Sequence, residues 1–321
     1  MLQRLPPEMA HDFAITGLAH GSLPRPARKA GKRVMGLEFP HPLGLAAGFD
    51  KNARAYRNLL RLGFSHVEVG TVTPRPQPGN PKPRLFRLRA DRAIINRFGF
   101  NSDGLKAVQK RLERRDPAEG VVGANIGCNK DTVDRLDDYL VCLRGLHSLA
   151  DYITVNVSSP NTADLRSLQR AEPLRRLLGE LMAARAGLPG PAKPLLVKLA
   201  PDLDGDQEEA VAEAVLDEQV DGMVLTNTTL DRPSDLRSAR AAEAGGLSGP
   251  PLFERSTAIL RRMRQRVGPA LTLIGVGGIG DHRTARLKLD AGADLLQAYT
   301  SFVYQGPALI EQVAWFPNTL G

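Results

Sequence analysis

The stretch LLVKLAPDLDGDQEEAVAEAVLDEQVDGMVLT (Leu195–Thr226) decides the fold. It opens on a short apolar run, Leu195–Leu199, continues through an amphipathic stretch, Asp206–Gln219, and closes on a second apolar run, Gly222–Thr226. Runs this short read as buried strands, and the stretch between them reads as a helix laid on a sheet. The same alternation extends outward in both directions. Apolar runs precede it at Leu43–Ala47, His66–Gly70, Val121–Asn125 and Tyr152–Asn156, and follow it at Leu271–Val276 and Asp294–Ala298, eight in all. Helical patterns lie between most of them, at Asp103–Arg115, Thr132–Leu149, Pro173–Ala186, Pro251–Val267 and His282–Asp290. Eight βα units in one chain predict an α/β fold, a closed (β/α)8 TIM barrel. The alternative, an open doubly wound sheet, would place a Gly-rich fingerprint after its first strand, and Leu45-Ala46-Ala47-Gly48 does not match one.

Residues 1–42 stand apart as a short N-terminal helical extension, and residues 43–321 make up the barrel. Pro6-Pro7-Glu8 marks a helix start, because Pro is tolerated in the first turn. Met9, Phe13, Ile15, Leu18 and Ala19 follow at roughly helical spacing, which predicts an amphipathic helix ending near Gly21. Leu23–Lys32 (LPRPARKAGK) is basic and Pro-rich and reads as a linker. Two connections exceed what a barrel needs: Pro74–Asn101, with β-like pieces at Arg84–Leu88 and Ala93–Asn96, and Thr229–Gly249. Long segments after barrel strands tend to cover an active site.

The net charge of +8 fits nucleic acid, an anionic membrane, an acidic ligand or merely an Arg-rich surface. Aromatic residues make up only 5% of the chain, too few for base-stacking platforms, so no nucleic-acid partner is expected. No apolar run approaches the roughly 18 residues of a membrane span. The N-terminus MLQRLPPEMAHDF lacks the apolar segment and cleavage site of a signal peptide, so any membrane contact is expected to be peripheral. Cys128 and Cys142 lack zinc spacing and are too few for a disulfide framework, which fits a reducing cytoplasmic setting. Cys128 reads as a packed thiol and His66 as structural. No metal is expected, since the histidines show no paired spacing with acids.

Active sites of such barrels lie at the C-terminal mouth of the strands, and polar residues fall there repeatedly. The strand ends carry Asp50 and Lys51, then Thr71, Asn125, Asn156 with Ser158-Ser159-Pro160-Asn161-Thr162, Lys198, Thr226-Asn227-Thr228, Gly277-Gly278, and Tyr299-Thr300. Buried polar groups without partners cost about 1–3 kcal/mol each, so a polar, planar ligand that partners them is favoured over chance placement. Gly277-Gly278 lets backbone N–H groups approach an anion, a cofactor phosphate being one reading and a pair of tight turns the other. Gly249 could add a donor. Lys198 and Lys51 admit either Schiff-base chemistry or a positive charge set against an anionic ligand.

At these residues the sequence resembles the quinone-dependent class 2 dihydroorotate dehydrogenases. The resemblance is carried by LGLAAGFDKN (Leu43–Asn52), GTVTPRPQPGNPKPRLFRL (Gly70–Leu88), INRFGFN (Ile95–Asn101), NIGCNKDT (Asn125–Thr132), NVSSPNT (Asn156–Thr162), VKLAPDL (Val197–Leu203), TNTTLDR (Thr226–Arg232), GGLSG (Gly245–Gly249) and IGVGGI (Ile274–Ile279). It implies an FMN-containing barrel that oxidises dihydroorotate to orotate in pyrimidine synthesis and passes electrons to ubiquinone or menaquinone. Carried over to this chain, it implies that Ala47, Gly48, Phe49, Asp50, Lys51, Thr71, Asn125, Asn156, Lys198, Thr226, Gly249, Gly278, Tyr299 and Thr300 hold FMN. It further implies that Lys51, Asn96, Arg97, Phe98, Gly99, Phe100, Asn156, Asn161, Asn227 and Thr228 face the substrate or its covering loop. Ser159, the second Ser of NVSSPNT, is implied as the catalytic base, where class 1 relatives place a Cys on a mobile loop.

The resemblance also gives the N-terminal helix and the basic linker Arg25–Arg33 a peripheral place on the cytoplasmic side of the inner membrane, at the quinone entrance. It implies a monomer. The chain before Pro7 is shorter than the resemblance leads one to expect, which leaves two readings, a truncated first extension helix or a mis-assigned start. Ser102 stands where a second Asn is common after INRFGFN, and Thr300 where a Ser is common; Thr300 keeps the hydroxyl.

Overall fold

The computed structural model describes residues 4–25, 31–162 and 164–314. In chain order it contains α1 (Pro7–His20), β1 (Lys32–Val34), β2 (Leu37–Phe39), β3 (Leu43–Leu45), α2 (Tyr56–Arg61), β4 (His66–Val72), β5 (Leu85–Leu88), β6 (Ala93–Asn96), α3 (Leu105–Leu112), β7 (Val121–Ile126), α4 (Arg135–Leu146), β8 (Tyr152–Asn156), α5 (Ala171–Ala186), β9 (Leu195–Leu199), α6 (Gly205–Asp217), β10 (Gly222–Leu225), β11 (Gly246–Ser248), α7 (Phe253–Val267), β12 (Thr272–Val276), α8 (His282–Asp290), β13 (Leu295–Ala298), α9 (Thr300–Gln305) and α10 (Ala308–Ala314). Strands β3, β4, β7, β8, β9, β10, β12 and β13 close into one parallel barrel in that order. These are the eight predicted runs, and the chain is a TIM barrel with a helical N-terminal extension.

The helices follow from their spacing. In α5, Leu174, Leu177, Leu178 and Leu181 recur at three and four residues and turn one buried face to the barrel. In α7, Ile259, Leu260, Met263 and Val267 do the same. Each such side chain, fully buried, is worth roughly 1.5–3 kcal/mol. Helix starts are fixed by short acids. Asp204 and Asp281 each close a capping box, with Gln207 and Thr284, and the Asp134 side chain accepts from the Leu136 N–H. Helix α2 and the hairpin of β1 and β2 carry no periodic signal long enough to be read from sequence. The hairpin turns at Met35-Gly36, both at positive φ, and pairs Lys32 with Phe39 and Val34 with Leu37. It plugs the closed end of the barrel, where Val34 and Phe39 pack among Val121, Tyr152, Leu196, Val224, Ile274 and Leu295.

Beneath that plug His66 is buried, with its ring 5.3 Å from that of Phe39 and its Nδ1 2.8 Å from the Ser65 hydroxyl. Burial drives its pKa down to about 3, so it is neutral at any working pH. Its role is structural, as expected. Cys128 and Cys142 are also buried, and burial raises both thiols, Cys128 to about 11. Neither supplies a thiolate.

Helix α1 lies where the sequence places it, but its apolar residues divide. Ile15 is buried and Leu18 packs on the core, while Met9 and Phe13 remain 55% and 68% exposed. Much of the basic linker Arg25–Arg33 falls outside the described residues. No described helix is long and apolar enough to cross a membrane.

The fit around His66 is close. A Cβ at Gly44 would stand 2.2 Å from His66 Nε2, with the ring already held by Phe39 and Ser65. Gly44→Ala should cost about 1–3 kcal/mol through overpacking and lower the melting temperature by several degrees. An unchanged melting curve would show that the ring is free to yield.

Candidate active site

The C-terminal ends of the barrel strands open into a cleft of about 1050 Å³, its open mouth included. Its cover joins both long excursions into a single antiparallel sheet, in the order β11, β6, β5. Leu247 pairs with Ile95 and Ile95 with Phe86, and these three with Leu88 and Ala93 form a small apolar core of their own. The sequence predicts the two pieces of the first excursion. The third strand escapes it, because its partner lies far away in the chain.

One wall is built from carboxamides. Asn156, at the end of β8, donates to Thr71 Oγ1 at 3.0 Å and to Asn125 Oδ1 at 3.2 Å. Its own Oδ1 accepts from the Ser158 N–H and hydroxyl and, at 3.4 Å, from Asn227 Nδ2. Asn227 also donates to Ser158 Oγ at 3.0 Å and accepts from the Thr228 N–H at 2.8 Å. Asn161 donates to Asn96 Oδ1 at 3.3 Å, which links the loop after β8 to the cover. Ser159 lines the cleft, and its Oγ accepts from the Asn161 N–H at 3.3 Å. Close by in the chain, the buried Thr162 hydroxyl has no partner among the described residues. Arg166 binds the loop from behind, donating to the carbonyls of Ser158 and Thr228 and to Asp202.

The floor holds opposite charges. Lys198 is buried and lines the cleft; burial lowers its pKa, and the nearby Glu68 works against that shift. Glu68 is wholly buried and accepts from Asn125, Tyr152, Thr154 and Gln297 at 2.8–3.1 Å. The carboxyl is thus fully partnered within the barrel, as a group withdrawn from water must be.

The far end is a backbone cradle. Gly249, Gly277 and Gly278 have φ of +99°, +106° and +74° and line the cleft. A Cβ at Gly278 would lie 2.5 Å from Phe253 Cβ, and one at Gly249 would lie 2.9 Å from the Arg92 carbonyl, so only glycine fits. Thr300 completes this end, its hydroxyl 2.8 Å from that of Ser248. At the mouth, Lys51 holds Nζ 3.9 Å from the centre of the Phe98 ring. Its pKa falls to about 8, chiefly from burial, with Arg84 adding repulsion. Arg84 in turn pairs with Glu8 of α1 at 2.7 Å, which ties the extension to the cover.

The expected cofactor residues Ala47, Gly48, Lys51, Thr71, Asn156, Lys198, Thr226, Gly249, Gly278, Tyr299 and Thr300 meet in this cleft. So do the expected substrate-facing residues Asn96, Phe98, Gly99, Phe100, Asn161, Asn227 and Thr228. Four expected residues do not line it. Phe49 packs edge-on against His11, Tyr299 and Phe302. Asp50 turns inward and accepts from the N–H groups of Arg54 and Ala55 ahead of α2. Asn125 lies one layer back, between Thr71 and Glu68. Arg97 points outward to Glu243 and over the Phe86 ring. Ser248, Gly277 and Gln297 also line the cleft. Of these, Gly277 was visible in its glycine pair; Gln297, a single polar letter inside an apolar run, and Ser248 were not singled out. The Gln297 Oε1 is buried without a partner among the described residues. No described cluster of His, Cys, Asp and Glu is arranged to hold a metal ion.

Comparison with known proteins agrees with this geometry. A family model described as dihydroorotate dehydrogenase matches residues 30–315. A protein of Brucella ovis named dihydroorotate dehydrogenase (quinone) is 50% identical over 310 residues, covering 94% of this chain and 85% of its own. One of the same name from Allorhizobium ampelinum is 50% identical over 309 residues, with the same coverage. Among solved structures, the DHODH of Eimeria tenella in complex with ferulenol superposes with a TM-score of 0.91 at 40% identity, covering 96% of this chain and 89% of that one. Its ligand-free form gives 0.91 at 42% identity, covering 96% and 92%.

Proposed function

The chain belongs to the dihydroorotate dehydrogenase family, in its quinone-dependent branch, and on that premise we propose that it oxidises (S)-dihydroorotate to orotate on FMN, with Ser159 as the base. The reaction is the redox step of de novo pyrimidine (UMP) synthesis. One observation carries this reading: the Ser159 hydroxyl and four asparagine carboxamides share a cleft with a glycine cradle and a buried ammonium.

The residues present fit FMN. The cradle at Gly249, Gly277 and Gly278 excludes every side chain and suits a phosphate. The unpartnered Gln297 Oε1 suits a ring N–H, and Lys198 on the floor suits the electron-rich edge of a flavin. When bound, FMN supplies a hydride acceptor and passes the electrons on to a quinone.

The chain's own residues do the rest. Asn96, Asn156, Asn161 and Asn227 offer amide donors and acceptors to a ring bearing carbonyls and N–H groups, and the mutual bonds among them fix their orientation in advance. Lys51 sets a positive charge at the mouth for the substrate carboxylate. Ser159 takes the proton from the ring carbon next to the one that bears the carboxylate, while the latter carbon loses hydride. A neutral hydroxyl is a poor base, so it must pass its own proton on, to water or to the free Thr162 hydroxyl. Lys198 favours electron density arriving over the floor.

Met9 and Phe13 give α1 an exposed apolar edge, which supports peripheral contact with the cytoplasmic face of the inner membrane, where the quinone resides.

Ser159→Ala should keep the flavin spectrum and lose about 10²-fold or more in the rate of flavin reduction by dihydroorotate; unaltered reduction would remove Ser159 from the role of base. Because the Lys51 charge is present below about pH 8 and lost above it, KM for dihydroorotate should rise as pH passes that value. In Lys51→Met, KM should be high and flat across the same range, and a flat profile in the unsubstituted enzyme would refute the carboxylate contact. Replacing Met9 and Phe13 together by Asp should abolish sedimentation with anionic lipid vesicles; sedimentation that persists would place membrane contact elsewhere.

A further inference from the structure

Lys288, on α8, is wholly buried, and the chemistry above gives it no part. Its ammonium donates to the Ser256 hydroxyl at 2.6 Å and to the Val276 carbonyl at 3.3 Å, and lies 5.4 Å from the centre of the Phe253 ring. The hydroxyl, carbonyl and ring carry no charge. Among the described residues, Glu254 is the one acid whose field acts on it, and no ion pair forms. Burying a cation without a counter-ion costs several kcal/mol, and here burial lowers the pKa to about 7.

The groups that touch Lys288 are the ones that shape the back of the glycine cradle. Val276 ends β12 and leads directly into Gly277. Ser256 Oγ donates to the Phe253 carbonyl at 3.1 Å and also lies 3.4 Å from the Gly277 carbonyl, and a Cβ on Gly277 would fall 2.7 Å from Ser256 Oγ. Phe253, which flanks the ammonium, fills the space behind Gly278. The other side of both glycines faces the cleft. A cation therefore stands behind the part of the cleft suited to a phosphate.

We propose that Lys288 is a positioning residue for the cofactor phosphate: it holds positive charge behind the Gly277-Gly278 cradle and fixes that loop through Ser256. The inference rests on the FMN reading above. A dianion in the cradle favours the charged ammonium, and the charged ammonium favours the dianion, so each strengthens the other.

The test compares FMN with riboflavin, which lacks the phosphate. The full-length chain, freed of flavin, is titrated with each by fluorescence quenching, with and without Lys288→Met. FMN should weaken by about tenfold or more, and riboflavin should be unchanged. Equal weakening of both, or no weakening of either, overturns the inference. Failure of FMN to bind the unsubstituted chain overturns the flavin reading and this inference with it. Should Lys288→Met not fold, the unsubstituted chain still decides. Calorimetry at about pH 7.5 in buffers of different ionisation enthalpy should show proton uptake with FMN that riboflavin lacks, and equal proton uptake for the two overturns the inference.

Discussion

The Glu68 carboxyl in the barrel interior is the constraint on which the site depends. An acid withdrawn from water must have donors, and here Asn125, Tyr152, Thr154 and Gln297 supply them from three further strands. Those bonds do more than satisfy the acid. With its amide N–H₂ committed to Glu68, Asn125 presents its oxygen to Thr71 and Asn156. Asn156 then presents its own oxygen to Ser158 and Asn227. A single buried charge thus sets, link by link, which way each amide of the wall faces. Networks of this kind fix one arrangement only when every member is satisfied. Among the described residues, the one open position in this chain of bonds, Gln297 Oε1, belongs to a residue that lines the cleft.

The barrel was legible because its strands are apolar runs bounded by turns, and its helices are long enough to repeat. The three-residue strands β1, β2 and β11 show no period to read, and β11 pairs with β6, far away in the chain. The strand-end residues were legible for a related reason: a parallel barrel brings all its carboxyl ends to one mouth. Direction was harder to read. Asn96 and Phe98 line the cleft while Arg97 between them turns out to Glu243, since neighbours in extended chain point to opposite sides. Phe49 and Asp50 sit inside a motif whose other members reach the cleft, yet they pack and cap behind it. Glu68 passed unread because, in sequence, it is one polar letter inside an apolar run.

Charge in this molecule works at two depths. At the surface, Arg and Lys stand in exposed pairs such as Arg25 with Asp116 and Arg33 with Glu38, each worth little. At and behind the cleft, Lys198 and Lys288 are buried and Lys51 half-buried, and in all three withdrawal from water works against the charged form. The net charge of +8 therefore says less about partners than the position of these few ammonium groups does.

Arg84 ties the extension to the catalytic body more closely than the word extension conveys. It is buried, it pairs with Glu8, and it donates to the carbonyls of Pro78 and Asn80 in the cover. Arg87 reaches the Leu5 carbonyl, and Ile15 is sunk in the barrel's own core. Removing α1 would strip a buried guanidinium of its carboxylate, a loss of about 3–5 kcal/mol in typical cases, and would open a hole where Ile15 sat. The helix is therefore a keystone rather than a tether, set in the same arch that roofs the cleft. One guanidinium thus joins α1 to the loop that carries Asn80 to the Asn161 carbonyl.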